Sequence, residues 1–328
     1  MTATIDVLAI GNAIVDVLAH ADDALLQRLE LVKGTMALID EVRAHELYGA
    51  MGAGVEVSGG SAANTVAGVA SLGGRAAFIG KVRDDQLGEV FTHDIRAIGV
   101  RFETSAARSG APTARCLVLV TPDAQRTLNT FLGACTALGP EDIDEALVAQ
   151  SAVTYTEGYL WDPPRAKEAI LKAWHAAARA GRKRSLSLSD PFCVERHRDE
   201  FLALVDDHVD VLFANEHEIC ALYQAPSFDE AVRAVRGRVE VAVLTRSEHG
   251  SVVVVGDQTH AIGVKRVERV VDTTGAGDLY AAGFLHGYTR GLSPNECGRL
   301  GAICAAEVIS HFGARPETSL AALVAMPA

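Results

Sequence analysis

Short apolar runs alternate with helix-like segments through most of the chain. The runs read as buried strands at residues 7–11, 76–80, 152–156, 185–189, 209–215 and 241–245. The helical segments lie at residues 62–72, 85–98, 164–180, 195–206, 216–223, 228–236, 277–290 and 295–310. Continuous apolar strands that alternate with helices are typical of a parallel sheet covered on both faces. The pattern therefore predicts an α/β fold with three layers, α/β/α, around a mostly parallel central sheet.

Two regions, at about residues 13–57 and 101–132, do not follow this alternation. They contain shorter strand-like pieces, among them 116–120 and 126–131, which the turn-forming stretch TPDAQ separates. We expect these pieces to form a small β-sheet that packs beside the main domain as a lid. Because the sequence has no linker rich in Pro, Ser or Gly, residues 1–328 are expected to form a single domain.

Charge and composition narrow the classes of partner. The chain carries 30 Lys and Arg residues against 42 Asp and Glu residues, a formal net charge of −12. General nucleic-acid binding is not expected, because it requires a basic surface. No apolar stretch reaches the roughly 18 residues that a membrane helix needs, and no signal peptide is recognisable. We therefore expect no membrane partner, a cytoplasmic location and reduced cysteines.

The stretch Asp-Thr-Thr-Gly-Ala-Gly-Asp, residues 272–278, lies between a strand-like run at 266–271 and an apolar helical pattern. Backbone N–H groups at such a helix start form an anion site, which glycine leaves open to close approach. A carboxylate beside bound phosphate repels it, so Asp278 is better explained as a base that deprotonates an attacking hydroxyl. This combination predicts phosphoryl transfer, although Gly and Asp are also ordinary helix-start residues.

Three other loops carry small or polar residues beside predicted strands and helices. They are GGSAAN at 59–64, NEHE at 215–218 and TRSEHGS at 245–251. The last two follow strands, and ligands bind at the carboxyl ends of strands in open α/β sheets. The sequence has no GxxxxGK[ST] loop and no GxGxxG after a strand, so the common nucleotide-binding fingerprints are missing. It also has no paired Cys or His motif typical of zinc.

Over nearly the whole chain, these motifs resemble the ribokinase-like carbohydrate kinases, also called the PfkB family. Residues 272–285, DTTGAGDLYAAGFL, look like the C-terminal signature of that family. GGSAAN resembles its N-terminal glycine pair, NEHE its NxxE motif, and GKVRDDQLG at 80–88 its G-x-x-x-D-D-x-x-G segment. The resemblance implies a ribokinase-like fold with a small β-sheet lid.

Within the family, the sequence is most similar to the adenosine kinase branch. GNAIVD at 11–16, GGSAAN, and PTARC at 112–116 look like the corresponding segments of that branch. Ala13, Ala114 and Arg115 depart from its pattern, and these departures leave the acceptor open.

The resemblance also implies roles for individual residues. Asp278 would be the general base, and the N–H groups of Gly275, Ala276, Gly277 and Asp278 itself would hold the charge of the transferring phosphoryl group. Residues that would bind the acceptor are Asn12, Asp16, Gly59, Gly60 and Asn64. Asp16 would accept hydrogen bonds from both hydroxyls of a ribose diol. From the residues alone, Asp16 is also compatible with a turn cap.

On the nucleotide side, the resemblance implies contacts to ATP from Asn215, Thr245 and Gly250. Glu218, together with Asn215, would order the waters around Mg²⁺, which seldom sits in an all-protein cage. Asp272 and Thr274 would lie at a site for a monovalent cation such as K⁺. From the residues alone, Glu218 is also compatible with a solvated first-turn residue that the helix dipole favours.

These implications predict an ATP-dependent kinase that phosphorylates the 5′-hydroxyl of adenosine and gives AMP and ADP. Two other hypotheses remain. One is a ribokinase-like sugar kinase, or a kinase of inosine or guanosine; the other is a catalytically silent nucleoside-binding protein with the same fold. The expected partner is a small-molecule nucleoside or sugar, and both a monomer and a homodimer remain open.

Overall fold

The computed structural model describes residues 3–123 and 125–325. Its strands are β1 (Ile5–Ile10), β2 (Ile14–His20), β3 (Met36–Leu38), β4 (Gly54–Gly59), β5 (Ala76–Ile79), β6 (Arg101–Phe102), β7 (Ala114–Val120), β8 (Arg126–Phe131), β9 (Ser151–Glu157), β10 (Lys183–Ser187), β11 (Val211–Asn215), β12 (Val241–Thr245), β13 (Ser251–Val255) and β14 (Gln258–Ile262). Its helices are α1 (Asp23–Arg28), α2 (Glu41–Ala50), α3 (Ser61–Ser71), α4 (Gln86–Ala97), α5 (Glu145–Gln150), α6 (Pro164–Arg179), α7 (Pro191–Asp207), α8 (Glu216–Tyr223), α9 (Phe228–Val235), α10 (Ala276–Tyr288), α11 (Pro294–Val308) and α12 (Leu320–Ala325). Each strand and helix predicted from the alternation of apolar runs is present, with bounds that differ by a few residues.

The main sheet has nine strands in the order β14-β13-β12-β11-β10-β9-β1-β5-β6. Neighbouring strands are parallel from β12 across to β6, whereas β13 and β14 are antiparallel. Alternate residues of β1 enter different cores: Val7 and Ala9 lie in the core on one face, and Leu8 and Ile10 lie in the core on the other. The predicted three-layer fold with a mostly parallel sheet is therefore confirmed.

A second sheet has five strands in the order β3-β8-β7-β2-β4. On one face, Leu117 and Leu119 of β7 pack in a core with residues of α1 and α2. On the other face, Cys116, Val118 and Val120 belong to a separate apolar cluster. The predicted small sheet is confirmed, and its two faces belong to two different apolar clusters.

Two features inferred from the sequence, one bound of the lid and one strand-like run, differ in the structure. Residues 101–102 do not belong to the small sheet; they form β6 at the edge of the main sheet. The reason is packing, because the Phe102 ring lies 5.8 Å from the Phe78 ring and 5.5 Å from the Phe91 ring. The run at 266–271 is not a strand. Val267 and Val270 line an open cleft instead of pairing, and Val270 is 55% exposed.

A close contact between α3 and α10 sets the distance between the two helices. A Cβ atom at Gly68 of α3 would lie 2.6 Å from the Cβ of Ala282 in α10, so only glycine permits this approach. The first turns of the two helices also meet, because Ser61 and Asn64 of α3 donate hydrogen bonds to Asp278 of α10.

All six cysteines are free thiols, and five of them are buried. In residues 3–123 and 125–325, no helix combines the length and the apolar character that crossing a bilayer requires.

Candidate active site

The first turn of α10 presents unpaired backbone N–H groups. Gly275 caps the helix with a left-handed backbone, at φ 78°. The N–H groups of Gly277 and Asp278 have no hydrogen-bond acceptor among the described residues. Unpaired N–H groups at a helix start attract an anion, and the helix dipole adds to this attraction. The N–H groups of Gly277 and Asp278 are therefore free to bind an anion, whereas the predicted Ala276 N–H donates to the Thr273 carbonyl oxygen at 3.2 Å.

Replacing Gly275 by Ala is expected to lower the free energy of unfolding by about 2–4 kcal/mol. The left-handed backbone strains any residue with a Cβ atom, and that atom would lie 2.8 Å from the Cβ of Ala314. Chemical denaturation would measure the loss. Gly277→Ala is a matched control, because a Cβ atom there has nothing within 4 Å. An equal loss in both variants would show that the Gly275 backbone is not the cause.

The Asp278 carboxylate is held between α10 and α3. Its Oδ1 accepts a hydrogen bond from the Ser61 hydroxyl at 2.6 Å, and its Oδ2 accepts one from the Asn64 amide at 2.9 Å. Burial raises the pKa of Asp278, and the hydrogen bonds from Ser61 and Asn64 oppose that rise. A buried carboxylate with a raised pKa is a stronger base than an exposed one, as general-base catalysis requires. Sequence reasoning did not single out Ser61, although it lies within GGSAAN.

Asp16 lies on β2, where it packs closely against β4. A Cβ atom at Gly59 would lie 2.5 Å from its Oδ2. Burial raises the pKa of Asp16 to about 6, and the positive charges of Arg315 and Arg126 oppose that rise. Among the described residues, none donates a hydrogen bond to this carboxylate, so its lone pairs are available to a ligand. This availability does not suit the alternative role of a turn cap.

Glu157, at the end of β9, connects Asn12 to the first turn of α3, although sequence reasoning missed it. Its Oε1 accepts hydrogen bonds from the backbone and the side-chain amide of Asn12, at 2.8 and 2.7 Å. Its Oε2 accepts one from the Ala62 N–H at 2.8 Å. Burial raises the pKa of Glu157 to about 7. Gly60, at φ 98°, completes the network, because a Cβ atom there would lie 2.2 Å from the Asn12 carbonyl oxygen.

A cleft of about 790 Å³ runs from Asp278 along the carboxyl edge of the main sheet. The predicted nucleotide residues Asn215, Thr245 and Gly250 all line it. Asn215 and Thr245 are register partners at the ends of β11 and β12. The cleft has an apolar wall, which consists of Val264, Val267, Val270, Ala302, Ala305 and Ile309. A pocket with one apolar wall and a few convergent polar groups suits a nucleotide.

Glu218 and Asn215 cap each other at the start of α8. The Glu218 carboxylate accepts hydrogen bonds from the Asn215 N–H at 2.8 Å and from its side-chain amide at 2.5 Å. Glu218 is 5% exposed, and burial raises its pKa to about 7, so it is not a solvated first-turn residue. The described residues contain no cluster of three or more metal-binding side chains. This donor set fits Mg²⁺ that is held mainly by water and phosphate oxygens.

Asp272 and Thr274, the residues predicted at a site for a monovalent cation, lie together beside the first turn of α10. The Asp272 Oδ1 accepts from the N–H and the hydroxyl of Thr274, at 3.0 and 2.8 Å. Its Oδ2 accepts from the Gly313 N–H at 3.0 Å and pairs with the Arg126 guanidinium at 2.7 Å. Both oxygens are therefore engaged, and a guanidinium already neutralises the carboxylate.

A sequence model described as the pfkB family carbohydrate kinase matches residues 33–320. The chain belongs to the pfkB family. This pfkB-family chain is 28% identical over 314 residues to an adenosine kinase of Saccharomyces cerevisiae, which covers 89% of this chain and 90% of that protein. Members of the family transfer a phosphoryl group to a hydroxyl, and the chain is accordingly a phosphotransferase with an alcohol group as acceptor.

Solved structures of similar proteins have the same fold as this pfkB-family chain. An adenosine kinase from Sinorhizobium meliloti is 55% identical, with a TM-score of 0.92, over 98% of this chain and 99% of that chain. A probable sugar kinase protein from Rhizobium etli CFN 42 is 50% identical, with a TM-score of 0.92, over 98% of both chains.

Proposed function

We propose that this pfkB-family kinase transfers the γ-phosphoryl group of ATP to the 5′-hydroxyl of adenosine, giving AMP and ADP. The observation that carries the proposal is the position of Asp278 at the junction of two binding regions. Asp16 would hold the acceptor, and ATP would occupy the cleft of about 790 Å³ that Asp278 lines. The identity of 55% to an adenosine kinase supports the choice of acceptor.

The small sheet offers a surface suited to a nucleoside base. Asp16 pairs in register with Cys116, and Leu18 with Val118, so the face that carries Asp16 continues into an apolar cluster. We call this cluster the lid patch; it consists of Cys116, Val118, Val120, Ile14, Leu18 and Leu128. A ribose diol on Asp16 would bring an attached base over the lid patch. Cys116, Val118 and Val120 are buried, and the partly exposed Ile14, Leu18 and Leu128 of the patch would contact the base, which free ribose lacks.

The chain's own residues would carry out the proton and charge transfers. Asp278 would accept the proton of the 5′-hydroxyl while the 5′-oxygen forms a bond to the γ-phosphorus. The bond from that phosphorus to the bridging oxygen of ADP would break, and the N–H groups of Gly277 and Asp278 would hold the developing charge. Bound Mg²⁺ would neutralise phosphate charge, and Glu218 and Asn215 would orient its waters. The proposal contains no step that uses K⁺.

A sugar kinase, or a kinase of another nucleoside, is the second candidate. The observation that favours it is the identity of 50% to a probable sugar kinase protein, together with the departures at Ala13, Ala114 and Arg115. Such an enzyme would use the same Asp278 and the same N–H groups of α10. It would differ in the part of the acceptor that contacts the lid patch.

Release of ADP with ATP and Mg²⁺ tests the proposal, with adenosine, inosine, guanosine and ribose offered separately. We expect kcat/KM for adenosine to exceed that for ribose by about 10³-fold, because the buried base adds several kcal/mol of binding. If ribose, inosine or guanosine were turned over as fast as adenosine or faster, the assignment of adenosine as the acceptor would be wrong. Tight binding of adenosine without turnover of any acceptor would show a catalytically silent protein.

A further inference from the structure

Ser61 donates the shorter of the two hydrogen bonds that Asp278 receives from the described residues. The Ser61 Oγ lies 2.6 Å from the Asp278 Oδ1, and the Asn64 Nδ2 lies 2.9 Å from the Oδ2. The shorter separation is typical of a hydroxyl that donates to an ionised carboxylate, which is one of the stronger hydrogen bonds in proteins. Both oxygens of the carboxylate therefore face a donor.

Two glycines with left-handed backbones determine where these partners lie. Gly60, at φ 98°, caps α3 directly before Ser61, and a Cβ atom there would lie 2.2 Å from the Asn12 carbonyl oxygen. Gly275, at φ 78°, caps α10, whose first turn contains Asp278. The contact between Ser61 and Asp278 is therefore set by two helix starts and not by the conformation of a long loop.

Other ionisable groups interact with Asp278 through charge, without a hydrogen bond to it among the described residues. They are Arg315, Asp16, Glu157, Tyr155 and Tyr159. The arginine stabilises the ionised carboxylate, and the two acids repel it. Burial raises the pKa of both tyrosines, so their hydroxyls are neutral near pH 7. All five groups remain when Ser61 is substituted, so the change in Asp278 would come from the lost hydrogen bond.

A serine hydroxyl suits both protonation states of a general base. Before the reaction it donates to the carboxylate, and a donor favours the ionised form. After Asp278 has accepted the proton of the attacking hydroxyl, the Ser61 hydroxyl can rotate and accept a hydrogen bond from the carboxyl group. The Asn64 Nδ2 can only donate, so it stabilises the ionised form alone.

We propose that Ser61 is a positioning residue for phosphoryl transfer, whose hydroxyl keeps the Asp278 carboxylate ionised and at the same time limits its strength as a base. This role rests on the proposed function in one respect, namely that Asp278 is the general base. Loss of the hydroxyl would then have opposite effects at low and high pH. Fewer molecules would carry the ionised base in acid, whereas the base would be stronger wherever it is ionised.

The first test is the pH dependence of kcat, measured at saturating adenosine and MgATP from about pH 5 to about pH 9. In Ser61→Ala, we expect the midpoint of the acid limb to rise by about one pH unit, because the ionised carboxylate loses a charge-assisted donor. Below the wild-type midpoint, kcat should fall about tenfold. Above both midpoints, kcat should equal the wild-type value or exceed it by up to about threefold.

The second test needs no acceptor. Carboxyl ¹³C NMR of protein labelled at the aspartate Cγ follows the titration directly, and Asp278→Asn identifies the signal of Asp278 by its disappearance. The pKa of Asp278 should be about one unit higher in Ser61→Ala than in the wild type. Ser61→Thr retains a hydroxyl and should restore both the titration and the pH profile of kcat. Ser105→Ala, which removes an exposed serine hydroxyl, is the control and should change neither.

Two results would overturn the role of Ser61. One is the same pKa of Asp278 in Ser61→Ala and in the wild type. The other is a loss of kcat of equal size at every pH, which would indicate a structural effect. If the turnover assay identifies another acceptor, the pH profile is measured with that compound. The NMR titration does not depend on the acceptor, so failure of the adenosine assignment and failure of the Ser61 role remain distinguishable. Melting temperatures of the Ala and Thr variants monitor folding.

Discussion

Replacing Asp278 by Asn is expected to lower kcat by about 10²–10⁴-fold, because an amide cannot accept the proton of the attacking hydroxyl. The side chain retains its shape, so Ser61 can still donate to the remaining oxygen. Affinity for adenosine should therefore change much less than kcat. Single-turnover mixing with ATP and Mg²⁺ would measure the chemical step, and calorimetry would measure binding.

The control for Asp278→Asn is Asp229→Asn, which removes an exposed carboxylate from the first turn of α9. This control is expected to retain wild-type kcat. If Asp278→Asn also turned over within about threefold of the wild type, the general-base role would have to be abandoned, since even weak general-base catalysis contributes about 10²-fold.

Replacing Asp16 by Asn is expected to lower kcat/KM for adenosine by about 10²–10⁴-fold. Two hydrogen bonds to a charged acceptor are worth about 1.5–3 kcal/mol each, and the ribose diol would lose both in their charged form. The wild-type kcat/KM should also fall as the pH drops through about 6, where Asp16 becomes protonated. In Asp16→Asn, this part of the acid dependence should vanish.

Modified acceptors make the Asp16 prediction sharper. The wild type should lose most of its kcat/KM with 2′-deoxyadenosine, because one hydroxyl of the diol is missing. Asp16→Asn should discriminate far less between adenosine and 2′-deoxyadenosine, since the missing hydroxyl no longer has a charged partner. Equal discrimination by the two proteins would show that Asp16 does not bind the diol.

The sequence was most informative where local pattern and function coincide. Apolar runs alternating with helices predicted the main sheet, since buried parallel strands must be apolar on both faces. The loops around Asp16, Asn64 and Asp278 were predicted because glycines and polar residues stand at helix starts or strand ends. The structure brings these residues, from distant parts of the chain, to one end of the cleft.

Other features depend on contacts that no local pattern contains. Glu157 became visible only when β1, β9 and α3 were seen to meet at its carboxylate, although a carboxylate directly after an apolar strand was an available signal. Arg315 lies in a loop without periodicity, and its position depends on the packing of Ala314 against Gly275. The run at 266–271 looked like a strand because it contains several valines. Val267 and Val270 instead line the cleft, whose wall requires apolar side chains as a sheet does.

The glycine contact between α3 and α10 also bears on how such an enzyme can diverge. Ser61, Asn64 and Asp278 all project from the first turns of these two helices, and the Gly68–Ala282 contact holds the helices at one distance. The lid patch lies on a separate sheet with its own hydrophobic core. Substitutions on that sheet can therefore alter which acceptor is bound without moving the general base, Asp278. Descendants of one ancestral enzyme can acquire new acceptors by exchanging a few side chains, while the reacting end of the site is inherited unchanged.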